Sequence, residues 1–130
     1  MNPPVRRVHE WELRRRFNCG GYYKRLQSGE FTSVRSRRHG NAAQSSGQAP
    51  NAKSGMVTYF DRHNRQVARV HQFTRPDGTI GASGLPDPKS LLVNGVAFHC
   101  YRPSDRLTVA MNIWGWINRL WAKLCLKLKR

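Results

Sequence analysis

The sequence predicts a small α+β protein: an antiparallel β-meander over about residues 56–101, a C-terminal amphipathic helix, and a basic, partly disordered N-terminal arm. Three observations carry this expectation. Strand-forming residues bounded by turn signals concentrate in the middle of the chain. A sustained helical spacing of apolar residues follows residue 106. Positive charge collects at the two ends: residues 1–54 carry eleven basic and three acidic side chains, and residues 106–130 carry six basic and none. Residues 55–105 carry six against four, so most of the net charge of +16 sits on the flanks.

The first segment, residues 1–32, reads as a basic arm with short helices. Pro4 suits a first helical turn, and Arg6–Phe17 is helical with only a ragged apolar stripe from Val5, Val8, Trp11 or Leu13, and Phe17. Cys19, Gly20 and Gly21 end it, and Tyr22–Leu26 is one further turn or an extended piece. Residues 33–55 hold no periodic apolar residue and are rich in Ser, Gly, Asn and Ala, which predicts a flexible linker.

The meander core spans 56–103. Met56–Phe60 and Gln66–Thr74 form a hairpin around Asp61-Arg62-His63-Asn64. Arg75-Pro76-Asp77-Gly78 is a turn, with proline where φ is already set and Asp-Gly after it. A short strand near Thr79–Ser83 returns, and Leu85–Lys89 is a loop, because Pro86 and Pro88 cannot donate backbone hydrogen bonds. Asn94-Gly95 between Leu91–Val93 and Val96–Tyr101 predicts a two-residue hairpin turn of type I′. Residues 104–130 place Ala110, Ile113, Trp114, Ile117, Leu120, Trp121, Leu124 and Leu128 along one stripe. Basic residues flank it, so the helix suits the sheet, a membrane interface or a partner.

The cysteines Cys19, Cys100 and Cys125 form no CxxC pair, which argues against a zinc knuckle and a disulfide framework and favours a reducing, intracellular and cytoplasmic setting. Arg6, Arg7 and Arg14–Arg16 hint at organelle targeting, against Glu10 and Glu12. No run of about 18 apolar residues predicts a membrane-spanning helix. His63, His71, His99 and Cys100 match no metal spacing, and Gly78–Gly84 precedes no helix, so neither a metal, a cofactor nor a phosphate loop is expected.

A polycation needs a polyanion, and the expected partner is nucleic acid, RNA in preference to duplex DNA. The expected contacts on phosphate are Arg14, Arg15, Arg16, Lys24, Arg25, Arg35, Arg37 and Arg38, joined by Arg69, Arg75 and Lys89 of the core. Trp11, Tyr22 and Tyr23 are expected to stack on unpaired bases. Two alternatives belong to other classes. His71 and His99 could serve as base and acid of a small metal-free ribonuclease or toxin-like effector. Residues 107–130 could attach the chain to an anionic membrane surface or a protein assembly.

Overall fold

Alternation of inward and outward residues over Lys53–Phe60 and Gln66–Thr74 builds the centre of the fold in the computed structural model, which describes residues 1–38 and 40–101. In chain order the elements are β1 (Val5–Val8), α1 (Glu10–Cys19), α2 (Tyr22–Gln27), β2 (Thr32–Arg35), β3 (Gly40–Asn41), a 3₁₀ turn at Gln44–Ser46, β4 (Lys53–Phe60), β5 (Gln66–Thr74), β6 (Asp87–Val93) and β7 (Val96–Cys100). The strands form one sheet in the order β1-β7-β6-β5-β4-β2, with β3 also on β4. β1 runs parallel to β7 and the other pairs are antiparallel.

This is a mostly β architecture, and it corrects the expectation of an α+β meander with a loose arm. The sheet is mixed, and the arm supplies its first strand and both described helices. Leu13 and Phe17, one helical turn apart, are fully buried, which anchors α1 although the rest of its stripe is ragged. The ion pairs Glu12–Arg16 at 2.8 Å and Glu10–Arg14 at 4.0 Å follow i,i+4 spacing on its outer side. The expected linker is ordered as well. β2 pairs with β4 from Thr32↔Phe60 to Arg35↔Val57, and β3 continues along β4 at Gly40↔Ser54. An edge strand held by backbone hydrogen bonds needs few inward apolar residues, so its composition resembles a linker. The expected C-terminal amphipathic helix, 104–130, lies outside the described residues.

Two details of the core segment also differ. Leu85–Lys89 is not wholly loop, since β6 starts at Asp87 and contains Pro88. The β5–β6 register shifts between Arg69 and Val70, so that Ser90 and Pro88 pair with successive β5 residues and Lys89 bulges out. Proline is tolerated at a bulge, where no ladder donor is required. The strand expected at Thr79–Ser83 is reduced to a single bridge, Thr74↔Ile80.

The two hairpins follow the sequence reading. Asp61 Oδ1 accepts from the backbone N–H of His63 at 2.9 Å and of Arg65 at 3.0 Å, which closes the β4–β5 turn. Asn94 and Gly95 both take positive φ, 48° and 76°, as a type I′ turn requires. A second register shift lies at Tyr59/Phe60, and Val67 and Ala68 consequently both turn inward.

α1 and α2 cover the face of Val57, Tyr59, Ala68, Val70, Leu91 and Phe98. Tyr59 is fully buried there, and its hydroxyl has no hydrogen-bond partner among the described residues. Burial, with Tyr23 adding to it, pushes this phenol well above its ordinary range. The folded chain therefore keeps a proton that the unfolded chain releases near pH 10. The contribution of Tyr59 to stability should stay level below about pH 10 and fall above it. Tyr59→Phe is expected to raise stability by about 1 kcal/mol in urea titrations at neutral pH and to flatten that alkaline decline. An unchanged alkaline decline would count against the buried phenol as its source.

Candidate phosphate-binding cleft

At the end of the sheet that carries the β4–β5 and β6–β7 turns, the two helices leave a cleft of about 880 Å³. Ligand sites commonly fall between about 300 and 1,000 Å³. Arg16 and Arg25 enter from the helices, Arg62, His63 and Arg65 from one turn, and Asn94 and Gly95 from the other. The buried rings of Tyr22 and Phe31 close the inner wall. Four guanidinium groups thus line the cleft against two carboxylates, Glu30 and Asp61.

Three of these arginines are held in place. Arg25 donates from Nε (3.0 Å) and Nη2 (2.6 Å) to the two oxygens of Glu30, and its guanidinium lies 4.3 Å from the Phe31 ring centre. This hydrogen bond raises the Arg25 pKa and lowers that of the exposed Glu30. Arg16 donates to Glu12 Oε1 at 2.8 and 3.1 Å and lies 4.2 Å from the Phe98 ring centre. Arg65 donates to Asp61 Oδ2 at 2.9 Å, and the Arg65 backbone N–H, first among several donors, lowers the Asp61 pKa. Each of these side chains keeps further N–H donors for an incoming anion. Arg62 has no carboxylate within ion-pair range among the described residues and donates to His63 Nε2 at 3.2 Å.

The structure distributes the remaining sequence-derived candidates unevenly. Arg14 pairs with Asp87 at 2.8 Å and Glu10 at 4.0 Å and borders a second cavity, away from this cleft, so it does not belong to a loose arm. The Asp87 carboxyl is pushed up by burial, yet the hydrogen bonds from Arg14 and Lys89 outweigh this and hold it low. Tyr22 turns inward and donates to the Leu92 carbonyl at 2.8 Å, which removes it as a stacking platform for bases. Tyr23 packs against the core, whereas Trp11 is 63% exposed. Arg15, Lys24, Arg35, Arg37 and Arg38 are exposed. Arg75 Nη1 donates to Thr79 Oγ1 and the Ile80 carbonyl, bracing its own turn.

His71 and His99 are not brought together. They stand on β5 and β7 with β6 between, a separation on the order of 10 Å at ordinary strand spacing. Arg69 pairs with Ser90, which pairs with His99, so these three share one row across the sheet. His71 lies two rows further along, paired with Asp87, with Nε2 2.9 Å from Ser54 Oγ and its ring edge-on to Phe73. It also borders a second cavity of about 490 Å³, with Arg14, Asn18, Ser83 and Asp87.

Asp61–Asn64 reads locally as a turn and His63 is weighed in the sequence only as a metal ligand, so Arg62, His63 and Arg65 gain no phosphate-binding role there. The available signal was three basic side chains, at 62, 63 and 65, within one tight hairpin connection. Such a connection concentrates charge at one end of a sheet.

Together these features define a small, sheet-rich protein with an arginine-lined cleft at one end. Comparisons with family models, curated proteins and solved structures find no match to this chain. No helix among the described residues is long and apolar enough to cross a membrane.

Proposed function

We propose that the protein binds single-stranded nucleic acid, RNA in preference to duplex DNA, by seating backbone phosphates over the arginine-lined cleft. The observation that carries this reading is the convergence of Arg16, Arg25, Arg62 and Arg65 on one concavity, where Glu12, Glu30 and Asp61 orient three of them and Arg62 meets no carboxylate among the described residues. Guanidinium groups donate to phosphate oxygens in pairs, and those fixed by stacking and a carboxylate lose little freedom on binding. The contact set differs from the one the sequence suggests: Arg62, His63 and Arg65 join Arg16 and Arg25, while Arg14 and Tyr22 leave it.

The test is RNA binding by the full chain carrying Arg62→Ala with Arg65→Ala, measured across a salt series. Each single-strand phosphate contact contributes about 0.7 to the slope of log affinity against log salt, so the double variant should lose about 1.4. At fixed salt, affinity should fall about tenfold, two exposed charge pairs at up to ~1 kcal/mol each. Wild-type affinity together with a wild-type slope would remove the cleft from the binding surface.

A further inference from the structure

We propose, building on that reading, that the bound strand leaves the cleft and runs along the β2–β3 edge of the sheet, giving a linear single-strand track rather than a point site. The topology supplies the path. Phe31 lines the cleft, and the next residue, Thr32, opens β2 opposite Phe60. β2 pairs with β4 at Val57–Phe60 and β3 at Lys53–Ser54, so together they bracket the eight residues of that strand. At about 3.3 Å per residue this edge is about 26 Å long.

The charge along the edge is of one sign. Between Glu30 and Asp61 the chain has no Asp or Glu, while Arg35, Arg37, Arg38 and Lys53 fall in that interval. All four are exposed. Among the described residues Arg35, Arg37 and Arg38 meet no carboxylate, and Lys53 donates to Asn41 Oδ1, at 2.6 Å, with no ion pair. Arg35 pairs with Val57, an inward residue, so it projects on the side of the helices and the cleft. A single strand rising about 3.4 Å per stacked nucleotide would span the edge with about eight nucleotides, inside the 4–16 range of known single-strand sites.

Edge strands also carry cations simply to block strand-to-strand aggregation. That role predicts no dependence of binding on oligonucleotide length, and this separates the two. The experiment measures fluorescent oligouridines of three to fifteen nucleotides against the full chain. Affinity should climb with length and level off near eight. Arg35→Gln, Arg37→Gln and Arg38→Gln combined should lose about two units of salt slope on a 12-mer while binding the 3-mer as wild type does. Retained 12-mer binding, or an equal loss on both lengths, overturns the track. The Arg62→Ala, Arg65→Ala variant should weaken both lengths. If it does and the edge variant does not, the cleft stands alone; if it does not, the cleft reading fails independently of the edge.

Discussion

Phe17→Ala is expected to remove about 3–5 kcal/mol of stability, the cost of deleting a buried aromatic side chain and leaving its cavity. Phe17 is 1% exposed, stacks on Tyr22 at 5.6 Å between ring centres, and meets Tyr59 at 6.3 Å. It therefore joins α1, the start of α2 and strand β4 at one point. Domains of this size rest on about 5–15 kcal/mol in total, so this one change should consume much of that margin. Urea or thermal unfolding followed by circular dichroism measures it directly. A variant that melts with wild type would mean that residues 1–32 behave as the loose arm their composition suggests. The same reasoning makes deletion of residues 1–38 a poor probe of RNA binding. It removes β1, α1, α2 and β2, and the expected outcome is unfolding.

Gly20→Ala should cost about 1–3 kcal/mol through overpacking. A methyl group at Gly20 would sit 2.6 Å from Cε2 of Tyr22 and 3.0 Å from the Arg16 carbonyl oxygen. The helix-ending backbone there is ordinary, at φ −77°, so the constraint is space and not conformation. The Tyr22 ring has little room to yield: it stacks on Phe17, its hydroxyl is tied to the Leu92 carbonyl, and Arg25 lies above it. Displacing this ring would also disturb the inner wall of the cleft. The expected result is a lower unfolding midpoint together with weaker RNA binding, read by the same urea and salt titrations. A neutral Gly20→Ala would show that the α1–α2 corner is looser than this packing requires.

Local rules read the two central hairpins correctly because their determinants are local. Asn94-Gly95 meets the positive-φ demand of a tight turn within two residues, and Asp61 closes its loop with its own carboxylate. The helix stop at Gly20-Gly21 is of the same kind. Pro88 misled the reading, since whether a missing donor matters depends on a bulge set by the partner strand.

The candidate site was only half legible. Arg16 and Arg25 stood out as members of a basic run, but their neighbours across the cleft lie about forty residues later in the chain. Which arginines remain available was equally hidden. Arg14 and Lys89 both reach Asp87, a contact spanning 73 positions in the case of Arg14.

The sequence alone determined the excess of positive charge, the turn positions and the placing of the two central hairpins, because these depend on residue identity and near neighbours. Tertiary structure alone decided that Val5–Val8 joins β7, that β2 and β3 extend β4, and that Arg16, Arg25, Arg62 and Arg65 meet. Edge pairing draws on backbone groups that every residue carries, and convergence of distant cations depends on where the folded core carries each element. Neither leaves a local mark in composition or periodicity.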